Sequence, residues 1–84
     1  MNVEIVEKVV NEVLDNVEVR EVYTFDDLDK IEGELIGFCI EGVEYKFVCV
    51  SNLCICEVES KLYGWEVDSI CKNDDDLREY LVNL

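Results

Sequence analysis

The sequence predicts an α+β domain: an N-terminal amphipathic helix, an antiparallel sheet of three to five strands and a C-terminal helix, in one compact unit over residues 1–84. Three patterns predict it. Apolar residues recur at helical spacing over residues 3–17, strand-like alternation surrounds two tight turns between residues 34 and 58, and a capped apolar stripe closes the chain. Half of the 84 residues are hydrophobic, enough for one small core, so disorder is not expected despite the charge.

The first element is "VEIVEKVVNEVLDNV". At about 100° per residue, Val3, Ile5, Val6, Val9, Val10, Val13, Leu14 and Val17 fall on one half of the wheel, with Glu4, Glu7, Lys8, Asn11, Glu12 and Asp15 on the other. Valine is a mediocre helix former, so period and not propensity carries the assignment. "VEVREVYTF", residues 17–25, is rich in β-branched and aromatic types and reads as a strand whose alternation slips at Arg20–Glu21, a bulge signature. "DDLDKIEG", residues 26–33, reads as an acidic connector with room for a helical turn.

"ELIGFCIEGVEYKFVCV" reads as a hairpin turning at Glu41–Gly42, where glycine supplies the positive φ such turns require. That register pairs Ile40 with Val43, Phe38 with Tyr45 and Ile36 with Phe47. A second hairpin turns at Ser51–Asn52, pairing Val50 with Leu53, Cys49 with Cys54 and Val48 with Ile55. Alternation then collects Ile36, Phe38, Ile40, Val43, Tyr45, Phe47, Cys49, Cys54, Cys56 and Val58 on a core face that receives the N-terminal helix. The opposite face holds Glu44, Lys46, Val48, Val50, Leu53, Ile55 and Glu57, charged at one end and apolar at the other. Its apolar end needs cover from the C-terminal segment or from a partner. "GWEVDSICKN", residues 64–73, is a further short strand or an extended connector. "DDDLREYLVNL" reads as a helix capped by Asn73 or Asp74, with acidic residues at the positive end of its dipole and Leu77, Tyr80, Leu81 and Leu84 as its stripe.

Five cysteines without a histidine fit no common metal site. The spacings Cys39-x9-Cys49-x4-Cys54-x-Cys56-x14-Cys71 lack the paired ligands of zinc sites, so the cysteines read as small buried hydrophobes and no metal or cofactor is expected. Cys49 opposite Cys54 is positioned for a cross-strand disulfide on oxidation. No catalytic residue is identified either. Acid–base work would fall to carboxylates or a lysine, and there is neither a Gly-rich phosphate loop nor a nucleophile elbow. "DDLDKIEGE" lacks the residue order of a calcium loop. No run approaches transmembrane length and the N-terminus lacks the pattern of a signal peptide, so a cytoplasmic protein with reduced thiols is expected.

The charge is the anomaly. Twenty-one Asp and Glu against seven Lys and Arg give a formal net charge of -14, beyond the magnitude of about 2–8 that suffices for solubility in a small domain. Binding to nucleic acid or an anionic membrane is not expected on this ground, and a basic protein partner is favoured. Alternate strand residues lie roughly 6.6 Å apart and helical neighbours about 5–6 Å, both near the spacing of successive phosphates. The candidate partner-binding carboxylates are Asp26, Asp27, Asp29, Glu32 and Glu34 in the connector, Asp74, Asp75, Asp76 and Glu79 at the last helix, and Glu66 and Asp68 between them.

The N-terminal amphipathic helix, the "EGVEY" turn and the tail "GWEVDSICKNDDDLREYL" together resemble small acidic phage anti-CRISPR proteins that mimic DNA, in particular those blocking Cas9 at its PAM-reading surface. The cysteine cluster departs from that pattern. The resemblance implies a non-enzymatic inhibitor, acting in the cytoplasm of a bacterial host, that occupies the nucleic-acid groove of a Cas nuclease as a monomer or homodimer. The alternative is an assembly or dimerisation module using Val48, Val50, Leu53 and Ile55; a small enzyme or metal protein ranks third.

Overall fold

Five strands follow one another as an antiparallel meander between two helices: α1 (Val3–Val13), β1 (Val17–Asp26), β2 (Glu32–Ile40), β3 (Val43–Val50), β4 (Leu53–Ser60), β5 (Gly64–Cys71) and α2 (Asp74–Val82), with sheet order β1-β2-β3-β4-β5. This computed structural model describes residues 1–26 and 32–84, and only the backbone of Asp26.

The expected α+β layout is what forms. Asn2 caps α1 by accepting the Ile5 N–H at 3.0 Å, and Asn73, one of the two cap candidates, caps α2 by accepting the Asp76 N–H at 2.9 Å. α1 stops at Val13, four residues before the periodic pattern does. Asn16 turns the chain at φ 58°, a conformation asparagine tolerates, and Val17 opens β1 while still packing against the core. Its apolar position therefore belongs to the sheet's period and not the helix's. The slip in β1 is a register shift between Val19 and Glu21 that leaves Arg20 as the extra residue. The ladder then continues to Asp26↔Glu32, so the ends of the acidic connector are strand and not helical turn, while residues 27–31 lie outside the described residues.

Both hairpin registers hold pair for pair. Glu41 and Gly42 take φ 51° and 82°, and Ser51 and Asn52 take 48° and 65°, so both turns have the two left-handed residues of a type I′ turn. "GWEVDSIC" is a full strand, β5, paired to β4.

Both helices lie on one face of the sheet. Val6, Val9 and Val10 of α1 and Leu77 and Leu81 of α2 are buried with Ile36, Phe38, Phe47, Cys49, Cys54, Cys56 and Cys71. Each leucine contributes about 1.5–3 kcal/mol by this burial. The Phe38 and Phe47 rings meet edge to face with centroids 5.6 Å apart. Two residues assigned to the core face lie at its margin: Val43 is 39% exposed and Val58 is half-buried. The core cluster on this face ends before them.

Candidate functional site

Antiparallel strands alternate direction, so the β1–β2 connection, the β3–β4 turn and the exit from β5 into α2 all leave the sheet at the same end. That geometry brings two of the sequence-predicted acidic groups to one end of the molecule. Asp26, Glu32 and Glu34 stand there on β1 and β2, and Asp74, Asp75 and Asp76 open α2 beyond the far edge of the sheet. Asp27 and Asp29 lie outside the described residues. Glu66 and Asp68 sit on β5, the opposite edge strand from β1, and Glu79 lies one turn further along α2. The candidates thus form two groups separated by β3 and β4 and not one continuous strip.

Several of these carboxylates are occupied by the scaffold. Asp68 Oδ2 accepts the Tyr80 hydroxyl at 2.7 Å, tying α2 to β5. Burial and this hydrogen bond push the Tyr80 phenol far above its ordinary range. Asp76 Oδ2 accepts the Lys72 N–H at 3.1 Å while its own N–H is held by Asn73, a reciprocal cap on α2. Glu32, Glu66, Asp75 and Glu79 are exposed, while Glu34 and Asp74 are half-buried. Asp75 lies 3.7 Å from Arg78, which also bonds Glu12 of α1 at 3.1 Å. Around the β1–β2 end, Thr24, Glu32, Glu34, Cys49, Ser51 and Asn52 help to line an open concavity of about 650 Å³.

The helix-free face carries the features that reading one strand at a time misses. Register places Tyr23 opposite Leu35, Leu35 opposite Val48, Val48 opposite Ile55 and Ile55 opposite Ile70, an apolar row crossing all five strands. Beside it, Phe25 pairs with Gly33, which pairs with Val50. A Cβ on Gly33 would collide with the Phe25 ring and lie 2.6 Å from Val50 Cγ1, so the glycine is what lets the phenylalanine lie flat across β2. The next row toward the Glu41–Gly42 end runs Glu21, Gly37, Lys46, Glu57, Val67. There Arg20 bonds both Glu18 and Glu44 at 3.1 Å, and Lys46 Nζ stands 4.1 Å from the centroid of the Trp65 ring. The alternation of β1 around its bulge was the signal for Glu18, Glu21 and Tyr23. Past β4, the most exposed apolar side chains, Leu62 and Tyr63, sit at a hairpin tip whose N–H groups both donate to Ser60 Oγ at 3.3 Å.

Four of the five cysteines pack as expected; Cys39 is half-buried, opposite Glu44 on the helix-free face. Cys49, Cys54, Cys56 and Cys71 are buried on the helix-covered face, and all five thiols are free. Cys49↔Cys54↔Cys71 form a row, and Cys56 Sγ is 3.8 Å from Cys71 Sγ. The thiol of Cys49 is pushed far up by its contact with Cys54 and by burial. At Cys54 the contact with Cys49 pulls downward, but Cys56 and burial outweigh it and the net shift is strongly upward. Burial raises Cys71 as well. Thiols held protonated in this way are poor nucleophiles and poor metal ligands. Among the described residues no group of three or more Cys, Asp or Glu is placed to hold a metal ion. No described helix is long and apolar enough to cross a membrane. Comparison with protein-family models, with curated proteins and with solved structures finds no match for this chain.

Proposed function

We propose that this chain is a non-enzymatic acidic inhibitor that binds the basic nucleic-acid-binding surface of a target protein by DNA mimicry, an anti-CRISPR acting on a Cas nuclease. One observation carries the reading: twenty-one carboxylates on 84 residues, with no buried charged or polar residue among those described. The described carboxylates therefore reach solvent, where their field attracts a cationic groove and speeds encounter. The two acidic groups at the β1–β2 end give that field a direction. A surface shaped for phosphates meets carboxylates at comparable spacing, with a salt sensitivity like that of nucleic acid.

The test is competition. Purified guide-loaded Cas nuclease is incubated with labelled target DNA and increasing amounts of this protein. DNA binding is expected to fall as the protein is added at about 0.1 M salt, and the protein's own affinity for the nuclease, measured without DNA, to drop toward about 0.5 M as screening shortens the reach of the charges. A variant carrying Glu32→Gln, Glu34→Gln, Asp75→Asn and Glu79→Gln spares the Tyr80 and helix-cap contacts and is expected to lose about tenfold or more in affinity. Affinity that is flat in salt for every nucleic-acid-binding protein tried would sink the mimicry reading.

A further inference from the structure

We infer that the helix-free face of the sheet is a docking surface for an amphipathic basic helix of the partner. This rests on the reading of the chain as a binder of basic surfaces and adds a contact that salt does not screen. The apolar row Tyr23–Leu35–Val48–Ile55–Ile70 lies on the side of the sheet that neither helix covers. Its two ends stay open, Tyr23 46% and Ile70 54% exposed, while between them Leu35 is buried and Val48 and Ile55 are half-buried. Five strands at 4.7–4.9 Å spacing make the row about 19 Å long, the rise of roughly 13 helical residues.

Charge selects the occupant. Glu21 and Glu57 border the row together with Lys46, which lies against Trp65, and one row further on Glu18 and Glu44 share Arg20. A second copy seated on this face would bring another net charge of -14 to within a sheet-packing distance of about 10 Å. A helix with a leucine-like stripe flanked by Lys and Arg instead fills the row and neutralises its border. The carboxylates supply encounter and salt dependence; the row supplies affinity that persists when salt is raised.

Two synthetic peptides of about 14 residues, the helical length that matches the row, test this. One places leucines on a single helical face among lysines; the other has the same composition scrambled so that no apolar face forms. Fluorescence anisotropy measures both against the wild-type chain and against the double variant Tyr23→Thr, Ile70→Thr, at about 0.05 and about 0.5 M salt. The amphipathic peptide is expected to bind at least about tenfold more tightly than the scrambled one, and the double variant to erase that difference while leaving the salt dependence intact. Equal binding of the two peptides, or a preference that survives the double variant, overturns the docking surface and leaves the acidic-binder reading standing. Failure of both peptides to bind at low salt overturns that reading and the docking surface with it. A dimer in sedimentation that the double variant abolishes would assign the face to a second copy and overturn the inference.

Discussion

The two faces of the sheet are built from the same strands by the same alternation, yet they have opposite chemistry. On the covered face, Ile36, Phe38, Phe47 and four cysteines meet the two helices, and charge stands only at its margins, where Glu34 pairs with Cys49 and Glu66 with Val58. On the open face an apolar row gives way, one step along each strand, to Glu21, Lys46 and Glu57. Under the proposed docking, the apolar part of the open face contributes affinity and the charged part contributes steering and orientation. The cysteine-rich stretch Phe47–Cys56 contributes to both: Cys49, Cys54 and Cys56 to the core, and Val48, Val50, Leu53 and Ile55 to the open side.

The largest effect that would break this contrast is a pair of neighbouring truncations on β3. Phe47 is fully buried, meets the Phe38 ring edge to face and stacks against Tyr45. Phe47→Ala is expected to cost about 3–5 kcal/mol in urea unfolding, through lost transfer energy and the cavity left behind. Val48→Ala, one residue on and facing outward, is expected to cost about 1 kcal/mol or less, since it is only half-buried and removes two methyl groups at a face no helix covers. Similar costs for the two would mean that the open face is packed as tightly as the core.

The covered face also sets an alkaline limit. Cys49, Cys54 and Cys71 keep their protons in the folded state to higher pH than in the unfolded chain, where thiols ionise near pH 8.5. With the folded pKa raised, the stabilisation is complete below about pH 8.5 and is lost as pH rises, because the unfolded state then releases protons that the native state retains. Each proton so withheld steepens the decline by at most about 1.4 kcal/mol per pH unit. Tyr80, raised by burial and by its bond to Asp68, adds to the slope above about pH 10. Urea midpoints under reducing conditions are expected to be level between pH 7 and 8 and to fall through pH 9 and 10. A level profile to pH 10 would mean that these thiols are reached by water.

Much of this contrast was legible from residue order. Period 3.6 locates α1, period 2 sorts the faces of β2, β3 and β4, and the two-residue turns fix their registers. What remained illegible depends on neighbours distant in sequence. The end of α1 was one case, because Val17 satisfies the helical and the strand period alike and only the sheet decides between them. The apolar row was another: Tyr23 and Ile70 lie on opposite edge strands, and their alignment needs four registers at once. The acidic candidates were easy to list and hard to rank. Nothing local distinguishes Asp68 and Asp76, used by Tyr80 and the α2 cap, from Asp75, which reaches toward solvent beside Arg78.

The smallest expected effect tests what keeps the two faces distinct. A one-residue slip of β4 against β3 would turn Cys54 and Cys56 outward and Ile55 inward, so the Ser51–Asn52 turn guards the identity of both surfaces. It does so without a glycine, at φ 48° and 65°. Asparagine tolerates this conformation, whereas for serine the left-handed region costs about 1–2 kcal/mol. Ser51→Gly removes that strain but gives the unfolded chain more freedom, about 0.4–1 kcal/mol in the other direction. The expected net gain is about 0.5–1 kcal/mol, read as a higher urea midpoint at unchanged slope. Thiol-reagent labelling of the native variant should stay as slow at Cys54 and Cys56 as in the parent, because the type I′ turn and its register are retained. Faster labelling with a lower midpoint would show that Ser51 itself holds the register, and that the separation of core from open face rests on this one residue more than on the hydrophobic pattern.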